Sequence, residues 1–136
     1  MDPNGHTIEL REDGRRIDVS VDGVLVASTT GAVVLQETGL PPRYYLPRGD
    51  VQVELFATDK ESVCPFKGGA SYWSLEIDGA RHENLVWAYE DPIPGMEAIK
   101  GRLAFFDERV DVVIDGEPQP RPVTQWTPGV LPPDHP

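Results

Sequence analysis

The sequence predicts a mainly β fold: roughly eight short antiparallel strands in two sheets, one short helix, and an extended proline-rich C-terminal tail. Three observations predict it. Apolar and polar residues alternate along much of the chain, which is the period of a half-buried strand. The 13 glycines and 14 prolines make 27 of 136 residues, a share usual for short strands joined by tight turns. Asp-Gly recurs at Asp13-Gly14, Asp22-Gly23, Asp78-Gly79 and Asp115-Gly116, and this pair tolerates the positive φ of hairpin turns.

Each element follows in order. Ile17, Val19 and Val21 alternate with Asp18 and Ser20, and Asp22-Gly23 turns the chain into an apolar run from Val24 to Ala27. The runs 24–27, 32–36, 85–89 and 103–106 are apolar with little alternation, as in strands covered on both faces or at sheet junctions. Val51, Val53 and Leu55 alternate, as do Trp73, Leu75 and Ile77, and again Val110, Val112 and Ile114. Asp78-Gly79 is the second hairpin turn, with the partner strand resuming by Leu85. Met96, Ile99 and Leu103 have helical spacing behind Pro94, which predicts one short helix over 95–100. Half of the prolines lie beyond residue 117. Proline fixes φ and removes a donor, so 117–136 reads as an extended tail on a single domain over 1–116. Its large apolar groups are Val123, Trp126, Val130 and Leu131.

Composition narrows the function. The chain carries 12 basic and 23 acidic residues, a net charge of -11. A nucleic-acid binder needs a basic face, so no nucleic-acid partner is expected. No run of 18 apolar residues exists, so no membrane span is expected. The first residues lack the basic and apolar regions of a secretory signal, and a cytoplasmic location is expected. The single cysteine excludes an internal disulfide and a four-cysteine zinc site. No cofactor and no metal site is predicted. The sequence holds no phosphate-binding glycine loop, no GxSxG and no HExxH.

Three segments break the alternation. In 37–47, a glycine and paired prolines stiffen a loop that presents Glu37, Arg43, Tyr44 and Tyr45. Arginine can hold a carboxylate or phosphate through two parallel bonds. In 64–73, Cys64 precedes Lys67, Gly68 and Gly69. A nearby ammonium favours the thiolate, and a glycine pair permits close backbone approach or a bend. In 87–92, Trp87 and Tyr89 stand two apart on one strand face. Each segment also has a plain reading: a rigid turn with Arg43 paired to Glu37, a buried cysteine before a bulge, and aromatic core.

These segments, read together, resemble the DUF427 family. The motifs are ETGLPPRYYLPRGDV at 37–51, CPFKGGASYW at 64–73, Trp87-Ala88-Tyr89 with Pro92, and IKGRLAF at 99–105. The resemblance covers 17–116. It implies a β-tent, two antiparallel sheets leaning together as in methionine sulfoxide reductase B. Those relatives pin the sheets with a zinc held by two cysteine pairs, and one cysteine leaves packing to do that here. The family has no established activity. It is also labelled nucleotidyltransferase-like, but the Gly-Ser turn with an Asp-x-Asp pair is absent from this chain.

The resemblance marks Glu37, Arg43, Tyr44, Tyr45, Pro47, Cys64, Lys67, Gly68, Tyr72, Trp87 and Tyr89 as motif positions. Polar and aromatic motif residues point to a pocket. Arg43 and Lys67 would supply positive charge, and Tyr45, Tyr72 and Trp87 flat walls, for a small anionic or planar ligand. Three readings stay open. The first is a ligand-binding module, in which Arg43→Ala and Lys67→Ala remove ligand-induced stabilisation and leave the fold intact. The second is a structural or protein-interaction domain, braced by the same residues. The third is an enzyme using Cys64 as nucleophile or Glu37 as general acid/base. A homodimer is also left open.

Overall fold

A computed structural model describes residues 5–128. Val130, Leu131 and His135 of the tail lie outside the described residues. Among the described residues eleven strands are formed: β1 (Ile8–Asp13), β2 (Ile17–Val21), β3 (Val24–Thr29), β4 (Ala32–Glu37), β5 (Arg43–Tyr45), β6 (Phe56–Cys64), β7 (Gly68–Ile77), β8 (Ala80–Pro92), β9 (Ala104–Phe105), β10 (Asp111–Ile114) and β11 (Glu117–Pro118). They make three antiparallel sheets, not two, in the orders β1-β4-β5, β11-β10-β2-β3 and β6-β7-β8-β9. Two isolated bridges add to these: Leu46–Leu103 joins the segments that follow β5 and precede β9, and Ala27–Val51 ties the 51–55 loop to β3.

The alternating strands form as their patterns dictate. Ile17, Val19 and Val21 are buried, and Asp18 and Ser20 between them are half-buried. Leu75 and Ile77 of β7 are buried, with Glu76 exposed between them. Three Asp-Gly pairs are hairpin turns with both residues at positive φ: Asp22 and Gly23 at 50° and 79°, Asp78 and Gly79 at 50° and 82°, Asp115 and Gly116 at 50° and 82°. Ala32 to Leu35 of β4 and Leu85 to Tyr89 of β8 are buried without a break. Consecutive residues face opposite sides, so both strands are covered on both faces. Each large aliphatic buried this way contributes about 1.5–3 kcal/mol.

Three local expectations are corrected. Residues 95–100 form no α-helix; Glu97–Ile99 is a single 3-10 turn, too short a bracket between Gly95 and Gly101 to propagate. Val51 to Leu55 are no strand, because Val51 makes only one bridge and Gln52 spends its N–H on the Val26 carbonyl. The strand lies just beyond, in β6, whose exposed and half-buried alternation carries too little apolar content to read from sequence. Val24 and Leu25 of β3 are exposed, so that run is not covered on both faces. The partner strand has resumed by Leu85 as expected: β8 begins at Ala80, directly after its turn. Asn84 at φ 51° lies beside the irregular Trp73–Leu75 register, breaking the pattern before Leu85.

The proline-rich segment is also more than a tail at its start. Glu117 and Pro118 pair with Ile114 and Val113 as an outer strand, the one place a sheet tolerates proline. Further on, Trp126 packs against the core.

Candidate functional site

The site is assembled from three strand ends, a turn and the C-terminal segment. Arg43 opens β5 opposite Leu35 of β4. Its guanidinium reaches across to Glu108, in the 3-10 turn Asp107–Arg109. Nη1 donates to Oε1 at 2.7 Å and Nη2 to Oε2 at 2.8 Å. Such a bidentate fork is the strongest arrangement available to a buried arginine. Asp107 Oδ2 lies 3.8 Å from the same Nη1. The Arg43 guanidinium carbon stands 5.4 Å from the Trp87 ring centre, 6.0 Å from Phe106 and 5.7 Å from Trp126. The Thr124 hydroxyl donates to Glu108, which ties the C-terminal segment to the same centre.

A second ion pair lies beside the first. Lys67 Nζ donates to Glu37 Oε1 at 2.6 Å, and His6 Nε2 contacts Glu37 Oε2 at 2.9 Å. Between the pairs stand the aromatics. Trp87 Nε1 donates to the Tyr45 hydroxyl at 3.2 Å. The Tyr45 ring meets Trp87 edge-on at 6.2 Å and lies 6.4 Å from Tyr89. Glu37, Arg43, Tyr45, Lys67, Trp87 and Tyr89 thus converge on one cavity, closed by Leu35, Leu40, Pro41 and Trp126. It holds about 10 Å³, the room of about one water.

The other motif residues stand elsewhere. The Tyr72 hydroxyl bonds to Ser62 at 2.7 Å, and Lys60 covers its ring, so it faces β6. Tyr44 is half-buried on the opposite face of β5 and lines an outer cleft. Gly68 has φ +119°, and a Cβ there would meet the Pro92 Cα at 3.2 Å; it is glycine for backbone packing. Cys64 ends β6 and is buried. Iodoacetamide should therefore label Cys64 at least ~10-fold more slowly than a free thiol, with unfolding restoring the rate. Only labelling faster than that of a free thiol would support the nucleophile reading.

Burial and charge pull against each other here. Burial works to raise the Glu37 carboxyl, but Lys67 and His6 outweigh it and hold its pKa below the ordinary value. Burial also works to raise Glu108; Arg43 and Thr124 bring it below the ordinary value. Arg43 is raised overall, because Glu108 and Asp107 overcome the cost of burying its charge. Burial pushes the Tyr45 and Tyr89 hydroxyls up, so both stay neutral. Asp107 is the exception. Burial raises it to about 7, Arg43 pulling down and Glu108 pushing up more weakly.

Sequence reasoning missed Glu108, Phe106, His6 and Trp126. In an acidic chain Asp107-Glu108 carries no signal, and Arg43 lies 65 residues from Glu108. Trp126 was visible only as the one large aromatic in the proline-rich segment.

An all-β domain with two buried ion pairs around an aromatic centre, drawn from the 37–47, 64–73 and 87–92 motifs together with Glu108, defines the class. A family model described as a domain of unknown function, DUF427, matches residues 9–116, and the chain belongs to that family. No curated protein matches the sequence. The match ends at residue 116, so Thr124 and Trp126 reach the centre from beyond it. Among the described residues, no helix is long and apolar enough to cross a membrane, and no three His, Cys, Asp or Glu side chains are grouped to hold a metal ion.

Proposed function

We propose that this domain is a non-catalytic binding module for a small planar ligand, taken up against the Arg43 guanidinium in the place of the Trp126 indole. One observation carries the reading. Trp126 supplies a third aromatic face over Arg43 from outside the matched region, and its indole Nε1 is buried with no hydrogen-bond partner among the described residues. A buried donor without a partner costs about 1–3 kcal/mol, so a planar group that satisfied its own donors would compete with it. The anionic alternative is weaker, since Arg43 and Lys67 are each matched by a carboxylate. The enzyme reading is weaker too. A general acid needs a raised pKa, and Glu37 is lowered. The β-tent arrangement belongs to the same proposal, with packing in place of the relatives' zinc.

A second reading, a structural or interaction domain, is favoured by the cavity itself, which is narrow and holds about one water. Chemical rescue separates the two. Trp126→Ala opens the face over Arg43. Free indole at about ten times its Kd should then raise the melting temperature of the variant by roughly 3–5 °C. Wild-type protein should not respond to indole. If neither indole nor purine stabilises the variant, the centre is bracing and the domain is an interaction module.

A further inference from the structure

A cleft of about 270 Å³ lies outside the buried centre. Its walls are Pro41, Tyr44, Val112, Pro120 and Pro122, flat and apolar, and Asp107 stands in it. Asp107 is only 9% exposed, and its carboxyl accepts no hydrogen bond among the described residues. Its one close cation, Arg43, is at 3.8 Å, beyond hydrogen-bonding distance, and is already held by both oxygens of Glu108. Arg121, at the cleft, is paired with Asp111 at 3.1 Å. Among the described residues the local count is therefore one buried cation against two carboxyl groups, so above about pH 7, where Asp107 is ionised, one negative charge stands unmatched beside an apolar cavity. A buried charge of this kind needs a partner.

We propose that this cleft binds a small organic ammonium ion, a primary or secondary amine on a flat apolar body, whose N–H donates to the Asp107 carboxylate. The charge-assisted bond supplies the missing partner. The proline faces and the Tyr44 ring take the apolar body, as cavities of this size do. The net charge of -11 raises the local concentration of cations. Inorganic cations do not suit the site, because one carboxylate offers too few oxygens. This site is distinct from the Trp126 position: it needs the segment 119–122 in place as a wall, whereas the indole test removes a side chain further on.

Benzylamine is the probe and benzyl alcohol its neutral control, titrated against the full chain at about pH 8 by calorimetry. Benzylamine should bind at least about tenfold more tightly than benzyl alcohol, the contribution of one charge-assisted hydrogen bond. That advantage should vanish in Asp107→Asn. Where Asp107→Asn does not fold, the wild-type pH series replaces it. The groups facing Asp107 are Arg43 and Glu108 behind it, with Tyr44 and Arg121 in the cleft. Protonation of Asp107 should weaken benzylamine binding about tenfold between roughly pH 8 and 6 and leave benzyl alcohol unchanged. Equal affinities, a preference that survives in Asp107→Asn, a flat pH series, or no saturable benzylamine binding each overturn the proposal. None of these outcomes bears on the indole experiment.

Discussion

Arg43→Ala is expected to destabilise the domain by about 3–5 kcal/mol, the cost of breaking a buried ion pair. For a chain of this length the melting temperature should fall by roughly 10–20 °C. The removal leaves Glu108 buried with only the Thr124 hydroxyl for company, and Asp107 beside it with no opposing charge. It also strips the stacking partner from Trp87, Phe106 and Trp126. Arg43→Lys should recover little, because an ammonium cannot span both Glu108 oxygens. The paired replacement Arg43→Met with Glu108→Leu should be far milder than either single change, since it leaves neither partner stranded. Thermal and urea unfolding of the set decide it. A single Arg43→Ala variant melting within about 3 °C of wild type would show that the pair contributes almost nothing. With Arg43 held by both oxygens of Glu108, ligand questions are better put to Trp126.

Stability should peak near pH 5 and fall by about 2–3 kcal/mol toward pH 8. Asp107 sets that slope. Its native pKa is raised to about 7 by burial, so the folded protein keeps a proton that the unfolded chain has released. Stability therefore declines as pH rises from the ordinary aspartate value through about 7, and levels off above it. On the acid side the sign reverses. Glu37, Glu108 and Asp13 all lie below their ordinary values, and the stability they contribute is lost as pH drops through those lowered values. Asp107→Asn should flatten the curve between about pH 5 and 8 and make the variant more stable than wild type at the alkaline end. Melting temperatures that do not change over this range in wild type, or that fall equally in Asp107→Asn, would remove Asp107 as the cause.

The fold was legible where burial on one side imposes alternation. Ile17, Val19 and Val21 announced β2, and Asp22-Gly23 and Asp78-Gly79 announced two hairpins that are formed. It was not legible where a segment has little to bury. β6 is a sheet edge of charged and hydroxyl residues, held by backbone pairing with β7, and backbone pairing leaves no trace in side-chain pattern. Val51 to Leu55 alternates for a different reason, as a loop laid half-buried on the core. The centre was half legible. Glu37, Arg43, Tyr45, Lys67, Trp87 and Tyr89 were singled out and do meet at one cavity. Their charge state was not, because Arg43 finds Glu108, not Glu37, and Lys67 takes Glu37. Which carboxylate neutralises which cation is decided by three-dimensional proximity across sheets, and spacing in the chain does not encode it.

The pairing of β10 with β2, Ile114 opposite Ile17, has a consequence in time. A ribosome delivering about 5–20 residues per second exposes Arg43 and Trp87 for seconds before Glu108 emerges. The sheet begun at residue 17 stays open over the same interval, since its inner strand comes from 111–114. The β1-β4-β5 sheet has all its strands once residue 45 has emerged, but the other two sheets are completed only by residues 104–118. The domain is thus set to complete its fold only once residues 104–118 have emerged, at the slow pace of non-local β topologies, and a nascent chain halted before residue 107 would hold the charged centre unassembled.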